Sequence, residues 1–533
     1  MALIAIDMTP VLPGGENGGV KLLALELVKG FQAIARDNRF LILTASWNDK
    51  ELAFLEGSDT QRLCVIEKQD PKAVRSLPVP RRLERGLRRI YRFVRRHYRE
   101  KLHRHGPLSA RGVDLLFCPF TAPTFAEPGI PVVSLICDLQ HKEYPQFFTP
   151  QEIDTRESFY TEVCRRADAV ICISDSTRGS VIRHLKTDPE KTHTIPICIQ
   201  SRLAGSDSSR MFEHLRDLHI EGTPYLFYPA NFWPHKNHHL LIAAYGMYLS
   251  RNPGRAMDLV FTGSLDDAQR DLQEKVRRMG LEQHVHFLGY LPDDQLTAVW
   301  QGCSFLIFPS LYEGFGIPIL EAMQFGKPVL CSNVTSLPEV AGDAALYFDP
   351  RKPAEIVHCL EKIIGNEELA AELIKRGNER LSLFHPREMV KRYLHCIEEV
   401  IGSPRRYCDE LKGVYRDGWT GKRLDVTHAA GVSERTLELI LEVPPWVPYQ
   451  KVTVRLDSPS GEGRKWTIGR GELQEIRLPL TEEGNHLVFS IEPAFVPLEC
   501  NMGADDRPLG VLCRECHLIS AGQERTSLWP VGE

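Results

Sequence analysis

The sequence predicts two α/β domains with mostly parallel sheets, followed by a third domain built from β-strands alone. The length of 533 residues corresponds to roughly three domains of about 150 residues each. Over roughly the first 400 residues, short apolar runs alternate with helical patterns, which is typical of parallel sheets covered by helices. After about Pro404 the helical spacing gives way to short alternating runs separated by turn residues, which favours an all-β sandwich.

The first domain begins with a strand, a glycine loop and a helix. The apolar run Leu3–Ile6 is followed by PVLPGGENGG, and VKLLALELVKGF then resumes with helical spacing. The strands predicted for this domain are Leu3–Ile6, Phe40–Thr44, Leu63–Ile66, Asp114–Cys118, Pro131–Cys137 and Ala169–Ile173.

The second domain repeats the alternation, with helices predicted at Asn237–Leu249 and Ile317–Phe325. Its predicted strands are Tyr225–Tyr228, Leu259–Thr262, Val285–Phe287, Phe305–Phe308, Pro328–Cys331 and Ala345–Phe348. The polar segment Ser201–Ser209 indicates a hinge, so the domains are predicted at 1–203, 204–404 and 405–533. A helix at about 386–402 is a candidate to return from the second domain to the first. Ligands in such folds bind at the carboxyl ends of strands, which predicts a site in the cleft between the first two domains.

The composition excludes several classes of protein. The 65 Lys and Arg against 70 Asp and Glu give a net charge of −5, which does not favour a nucleic-acid binder. The first eight residues, MALIAIDM, lack the features of a signal peptide, and no uncharged apolar run reaches the roughly 18 residues of a membrane span. We therefore expect a cytoplasmic chain that does not span the membrane.

The 14 cysteines are scattered, mostly within apolar runs, which suits reduced thiols better than a disulfide framework. Cys500, Cys513, Cys516 and His517 could form a zinc site, but a single CxxC pair without a second is a weak pattern. Buried thiols are the favoured interpretation. Trp446 and Trp466 could stack on sugar rings, although tryptophan is more often part of a core.

The segment Arg81–His105 carries eleven Lys or Arg and only two Glu, with apolar residues recurring every three to four positions. This pattern predicts a basic amphipathic helix. Two interpretations stay open: docking on an anionic membrane surface, or packing on the first domain with a solvated basic face.

The block Phe308–Pro328 reads FPSLYEGFGIPILEAMQFGKP, which predicts a strand end, a glycine loop and then a helix. Glycines and backbone N–H groups at a helix start form an anion site. Glu313 before the loop and Glu321 in the helix are a little over two turns apart, so both can face one side and bind sugar or ribose hydroxyls. Alternatively, Glu321 only caps or pairs on a helix surface.

A second block, Tyr225–Leu240, reads YLFYPANFWPHKNHHL and places Asn231 and Lys236 between a strand and a helix. A lysine at this position can neutralise a diphosphate and stabilise it as a leaving group. The alternative is a solvated lysine, the usual fate of a single one.

Together the blocks resemble the retaining, nucleotide-sugar-dependent glycosyltransferases of family 4, whose GT-B fold has two Rossmann-like domains facing a cleft. The resemblance covers roughly residues 1 to 400. It rests on Gly18-Gly19-Val20, on PANFWPHKNH, and on Glu313 and Glu321 around the glycine loop. The third domain resembles accessory β domains of some bacterial polysaccharide glycosyltransferases.

The resemblance implies roles for these residues. Glu313 would hold donor-sugar hydroxyls, Glu321 the ribose, and Lys236 the diphosphate. The remaining donor-binding residues would be Gly18, Gly19, Asn231, Gly314, Phe315 and Gly316.

The chain also departs from the family pattern in two places. Asn231 stands where many relatives have an arginine, so one of two usual phosphate cations is missing or supplied elsewhere. In place of a His-Asp pair the chain reads Cys137-Asp138-Leu139-Gln140-His141. Asp138 and His141 are therefore both candidates at the acceptor, with Glu313 completing the predicted catalytic set, and His141 alternatively is a loop histidine.

The implied reaction moves a sugar from a nucleoside diphosphate sugar to an acceptor hydroxyl with retention. GDP-mannose is the first-choice donor, and the acceptor is a saccharide or a polyprenyl-diphosphate-linked saccharide in surface polysaccharide synthesis, at the inner face of the membrane. We expect no metal and no cofactor, since the sequence has no Asp-x-Asp cluster. The alternatives are a non-catalytic sugar or nucleotide-binding protein, a UDP-sugar-dependent transferase, and a phosphorylase-like or epimerase reaction on the same fold.

Overall fold

The computed structural model describes residues 2–12, 18–35, 37–66, 107–127, 129–203, 210–255, 257–263, 267–403, 410–415, 417–428, 435–457, 463–480, 486–497, 500, 507–520 and 525–529. The chain divides into two compact units. One comprises Met1–Phe125 and Val132–Val400, and the other comprises Ala126–Pro131 and Ile401–Glu533. The predicted basic helix Arg81–His105 lies outside the described residues, as does most of the predicted hinge.

The first sheet of the larger unit has seven parallel strands in the order β3-β2-β1-β4-β5-β6-β7. Their bounds are β1 Leu3–Asp7, β2 Arg39–Ala45, β3 Thr60–Ile66, β4 Leu115–Cys118, β5 Val132–Ile136, β6 Ala169–Cys172 and β7 Thr192–Thr194. The central strands are buried on both faces, as continuous apolar runs in a covered parallel sheet require.

The second sheet has six parallel strands in the order β10-β9-β8-β11-β12-β13. Their bounds are β8 Tyr225–Pro229, β9 Asp258–Thr262, β10 Val285–Phe287, β11 Phe305–Phe308, β12 Val329–Ser332 and β13 Ala345–Phe348. In each sheet the order reverses beside the first strand, and this reversal opens a crevice at the carboxyl ends.

Helices alternate with these strands along the chain. They are α1 Gly18–Ile34, α2 Gln140–Glu143, α3 Pro150–Arg166, α4 Asp175–Leu185, α5 Met211–Asp217, α6 His238–Arg251, α7 Asp267–Arg278, α8 Asp293–Gly302, α9 Ile317–Gln324, α10 Leu337–Ala341, α11 Pro353–Ile363, α12 Glu367–Leu381 and α13 Pro386–Gly402. Helix α3 shows the local logic: Thr149 and Glu152 form a capping box, and a proline occupies the first turn, where no N–H is needed. In the described part of the chain, no helix is both long and apolar enough to cross a membrane.

Helix α13 follows the second domain in sequence but packs on the first. A Cβ on Gly30 of α1 would lie only 2.4 Å from Val390 Cγ2. The ring of Tyr393 meets that of Phe117 edge-on, with centroids 6.0 Å apart. The last helix of the unit therefore completes the core of the first domain.

The smaller unit contains two antiparallel sheets, ordered β14-β15-β20-β17-β18 and β19-β16-β21-β22. The strands are β14 Glu410–Val414, β15 Thr420–Thr427, β16 Arg435–Glu442, β17 Lys451–Asp457, β18 Lys465–Gly469, β19 Leu473–Leu480, β20 His486–Glu492, β21 Leu512–Ile519 and β22 Arg525–Trp529. Alternate residues of both sheets, such as Leu439 and Val454, share one apolar core, so the sheets form a sandwich. Together with the two parallel sheets, this confirms the predicted fold class.

The cysteines and tryptophans of the sandwich follow its strands. Cys513 and Cys516 are both buried in the shared core, because a bulge in the pairing of β21 puts residues three apart on the same face. Trp466 is partly buried against Phe489, and Trp446 is 53% exposed. Among the described residues, no three His, Cys, Asp or Glu side chains lie close enough together to hold a metal ion.

Candidate active site

The centre of the candidate site is an ion pair between Lys236 and Glu313. Lys236 ends a single 3-10 turn after β8, and Glu313 follows β11, the strand that pairs with β8. Their Nζ and Oε1 atoms are 2.6 Å apart, and the side chains are only 14% and 12% exposed. The two residue blocks singled out from the sequence therefore meet at the carboxyl edge of one sheet.

Two hydrogen bonds fix the loop that carries Lys236. The hydroxyl of Tyr228 donates a hydrogen bond to the Lys236 carbonyl oxygen at 2.8 Å. The carbonyl of His235 accepts a hydrogen bond from the N–H of Leu311, also at 2.8 Å. The loop is thus tied to the end of β11, which holds the ammonium group in a defined position.

Asn237 and His238 complete the support of this loop. Asn237 has a φ of 63°, a conformation that asparagine tolerates, and its side-chain amide donates to the carbonyl oxygens of Pro309 and Pro350. His238 is buried and stacks on Tyr228 with ring centroids 4.7 Å apart. Burial lowers the pKa of His238 to about 3, so this ring is a neutral packing element.

The glycine loop after Glu313 is held by hydroxyl groups of the following loop. Thr335 Oγ1 accepts the Glu313 N–H at 3.2 Å, and the Ser336 hydroxyl lies 2.9 Å from the Phe315 carbonyl oxygen. Gly316 has a φ of 108°, and a Cβ there would lie 2.7 Å from Leu337 Cδ2. Both conformation and space require glycine at this position.

The first domain approaches the same loop closely. A Cβ on Gly314 would lie 2.1 Å from the Cys137 carbonyl oxygen and 3.3 Å from the Asp138 Cβ. Asp138 follows β5, so its carboxylate stands at the edge of the first sheet opposite Glu313. Burial raises the pKa of Asp138, although the N–H of Gln140, which donates to Oδ1 at 3.0 Å, lowers it.

The start of α1 also reaches this region. Gly18 has a φ of 54° at the start of α1, and a Cβ on Gly19 would lie 2.8 Å from Ile317 Cδ1. Ile317 follows Gly316 and is the first residue of α9. The structure therefore brings Gly19, Asp138, Lys236 and the Glu313 loop together at the facing carboxyl edges of the two sheets.

His141 lies elsewhere in the first domain. Its ring is 1% exposed and stacks on Tyr160 with centroids 5.4 Å apart. Neither ring nitrogen has a hydrogen-bond partner among the described residues, and Glu157 Oε1 is 3.7 Å from Nε2. Burial lowers the pKa of His141 to about 4. The charged or titratable groups around it are Glu157, Arg156, Lys142 and His184. Arg156 also acts on Asp138, and Glu313 and Lys236 act on Asp138 but not on His141.

Three further predicted donor residues occupy different surroundings. Glu321 lies in α9 and is 3% exposed. Phe315 is also buried, with its ring edge-on to Phe384, so only its backbone can serve a ligand. Asn231 lies in the loop after β8, and its Cα closely approaches Gly263, where a Cβ would be only 3.0 Å away.

Several residues of the site were missed from the sequence. The Ser174 hydroxyl donates to the Gly314 carbonyl oxygen at 2.7 Å, and the Tyr312 hydroxyl accepts the Leu139 N–H at 3.1 Å. The signal for Ser174 was present, since Ser-Asp-Ser-Thr after a strand is typical of a helix N-cap. The hydrogen bond from Ser174 to Gly314 depends on how the two domains contact each other, and the local sequence does not indicate this contact.

Comparison with protein families gives two matches. Residues 17–201 match the family described as "Glycosyltransferase Family 4", and residues 211–380 match the family described as "Glycosyl transferases group 1". The two matched segments correspond to the two parallel-sheet domains.

Curated relatives match part of the chain. It is 31% identical to the O-antigen chain mannosyltransferase B of Escherichia coli over 220 residues, which are 41% of this chain and 58% of that protein. It is 33% identical to a serotype-specific mannosyltransferase WbdA of Escherichia coli over 211 residues, 39% of this chain and 26% of that protein. The chain therefore spans less than two thirds of the length of these relatives.

Among solved structures, the Anabaena protein Alr3699/HepE in complex with UDP and glucose superposes with a TM-score of 0.55 at 18% identity. The superposition covers 75% of this chain and 100% of that protein. At this level of identity the likeness shows the fold.

Proposed function

We propose that residues 17–201 and 211–380, which match two glycosyltransferase families, form a GT-B glycosyltransferase. It would transfer a hexose from a nucleoside diphosphate sugar to a saccharide acceptor with retention. The observation that carries the proposal is the Lys236–Glu313 pair at one sheet edge, with Asp138 facing it from the other domain. A cation, a hydroxyl-binding carboxylate and an acceptor-side carboxylate are the groups that this reaction needs.

Lys236 would stabilise the departing diphosphate. Its charge is balanced by Glu313, and both side chains are largely shielded from water. An ammonium in such surroundings interacts more strongly with a developing negative charge than it would in water. The start of α9 would add its backbone dipoles, so the proposed chemistry needs no metal ion.

Glu313 would bind hydroxyls of the donor sugar, and Glu321 those of the ribose. Gly19, together with the backbone at Phe315 and Gly316, would lie beside the phosphates or the sugar. The close approach of Cys137 and Leu337 requires glycine at Gly314 and Gly316, and this packing would hold the backbone N–H groups of the loop in place for a ligand. Asp138 would face the acceptor hydroxyl.

We propose mannose as the transferred sugar, supported by the names of the E. coli relatives, which are mannosyltransferases, and GDP-mannose as its donor. The name of the first, an O-antigen chain mannosyltransferase, supports a role in the synthesis of a bacterial surface polysaccharide. We further propose that this synthesis takes place in the cytoplasm at the inner face of the membrane. The acceptor would be a saccharide or a polyprenyl-diphosphate-linked saccharide. Docking on the membrane through Arg81–His105 remains a separate proposal, since that segment lies outside the described residues.

The donor is tested by screening nucleotide sugars for stabilisation of the full chain. A specific ligand raises stability by about 2.7 kcal/mol at a concentration of 100 Kd, which shifts the melting temperature by a few degrees. We expect GDP-mannose to give the largest shift. A larger shift with a UDP-sugar would replace GDP-mannose as donor while leaving the transferase proposal intact.

The reaction is tested by product release and product stereochemistry. We expect GDP release to depend on an added saccharide acceptor, and GDP-α-mannose to yield an α-linked product visible by NMR. Nucleotide binding without acceptor-dependent release would favour a non-catalytic binding protein. Formation of a β-linked product would refute retention.

The site is tested with Lys236→Met, Glu313→Gln and the double variant. Loss of Lys236 should lower kcat by about 10²- to 10³-fold, the typical effect of removing one preorganised charge stabiliser. Each single variant leaves one half of the pair uncompensated, so the double variant controls for stability. It should fold as well as the wild type yet remain inactive. Full activity in the double variant would refute this site.

A further inference from the structure

Glu339 of the second domain bridges to a helix of the first. It lies in α10, and its carboxylate oxygens accept hydrogen bonds from the N–H groups of Asp175 at 2.8 Å and Ser176 at 3.1 Å. Asp175 and Ser176 are the first two residues of α4. A side chain of one domain thus caps the N-terminus of a helix of the other.

The start of a helix needs such a partner. The first N–H groups of α4 have no acceptor within the helix, and the helix dipole favours a negative charge there. Ser174 satisfies one of them, because its hydroxyl accepts the Thr177 N–H at 3.0 Å. Glu339 satisfies the two that precede it, so the N-terminus of α4 is complete only when the second domain is in contact.

Glu339 is itself held in place. The Arg380 guanidinium donates to the backbone carbonyl oxygens of Glu339 and Val340, the latter at 3.0 Å. Burial raises the pKa of Glu339, while the two accepted N–H groups lower it. The carboxylate therefore loses hydration that these N–H groups replace, and this ties the charge to one position.

The bridge lies beside two other contacts between the domains. Ser174, which precedes α4, donates to the carbonyl oxygen of Gly314, next to Glu313. Tyr312 accepts the N–H of Leu139, next to Asp138. A shift of α4 would therefore move the catalytic loop of one domain relative to the strand end of the other.

We propose that Glu339 is a positioning residue that clamps α4 to the second domain and thereby sets the approach of Asp138 to the Lys236–Glu313 pair. The inference rests on the proposed function for its effect on catalysis, but the clamp itself does not. Because Lys236 and Glu313 lie within one domain and only Gly19 is contributed by the other, binding of the nucleotide depends much less on the clamp than the transfer step, which requires both domains.

The test uses Glu339→Gln in the full chain, with Glu355→Gln as the matched control. Glu355 also accepts a backbone N–H, that of Asp349 at 2.8 Å, but within its own domain. We expect Glu339→Gln to speed hydrogen exchange in peptides covering the start of α4. We also expect kcat to fall about tenfold or more while the Kd for nucleoside diphosphate stays within about twofold. Glu355→Gln should change neither the exchange at α4 nor kcat.

A second variant changes a residue of the first domain that contacts the second. Ser174→Asp keeps a good N-cap for α4 but replaces the donor to the Gly314 carbonyl with a carboxylate. It should lower kcat to a similar extent with α4 still protected from exchange. This variant covers the case in which Glu339→Gln folds poorly.

The outcomes separate the clamp from the function. Unchanged exchange at α4 in Glu339→Gln would overturn the clamp, and faster exchange with unchanged kcat would overturn its positioning role. If the wild type shows no transfer with any nucleotide sugar, the proposed function fails, and the exchange experiment still decides the clamp.

Discussion

Replacing Gly314 with alanine should separate the two halves of the candidate site by a known amount. The added Cβ would lie 2.1 Å from the Cys137 carbonyl oxygen, whereas carbon and oxygen atoms in contact are normally about 3.3 Å apart. The obstructing atom is backbone, so it cannot turn aside as a side chain would. Relief therefore requires the loop and the strand end to move apart by about 1 Å.

A displacement of this size has a large effect on a reaction that needs both domains. Misplacement of reacting groups by about 1 Å can cost about 100-fold in rate, which corresponds to about 2.7 kcal/mol of transition-state stabilisation. We expect Gly314→Ala to lower kcat by about that factor. The affinity for nucleoside diphosphate should fall much less than kcat, because Lys236 and Glu313 remain in one domain.

The assay is steady-state nucleotide release with acceptor present, combined with calorimetric measurement of nucleotide affinity. Gly254→Ala is the control, since a Cβ at that position meets no atom within 4 Å. If Gly314→Ala retains more than half of the wild-type kcat, the closely apposed arrangement of the two domains is not the one that reacts.

Three further predictions concern stability. Asp138→Asn should raise the free energy of unfolding at pH 7, because burial in the folded state raises the pKa of this carboxyl. The gain should vanish below about pH 3.8, where the carboxyl is protonated in both the folded and the unfolded state. Urea titrations at several pH values measure this change. The wild type should lose stability as pH falls from 6.5 to about 4, since His141 is buried in its neutral form. In thermal melts His141→Phe should reduce this loss, whereas the control His395→Phe, at an exposed position, should not. Gly30→Ala should destabilise by about 1–3 kcal/mol in urea unfolding through overlap with Val390, and the additional change Val390→Ala should restore most of this, so additive losses would contradict the packing described.

The fold could be predicted from sequence because its signals are local. Alternation of apolar runs and helical patterns indicated the two parallel sheets, and the change from helical spacing to short alternating runs after Pro404 indicated the sandwich. Lys236 and Glu313 could each be found because both follow strands in recognisable glycine or proline loops. Their ion pair was not predicted, since it depends on the adjacency of β8 and β11 in the sheet.

The contacts between the domains could not be predicted in this way. The partners Glu339 and Asp175 are 164 residues apart, and each has an ordinary local role in its own helix. His141 shows the converse problem, because its position shortly after Asp138 could not indicate that its ring turns into the core beside Tyr160. Side-chain direction in a short helix after a strand is decided by packing, and spacing does not contain it.

The return of helix α13 to the first domain has a consequence for synthesis of the protein. The apolar face of that helix, which includes Val390 and Tyr393, fills the space against Gly30 and Phe117. During translation at about 5–20 residues per second, α13 follows α4 by about 200 residues, a delay of roughly 10–40 s. For that interval the nascent first domain lacks part of its core, so its apolar surface is available to chaperones until the second domain has left the ribosome.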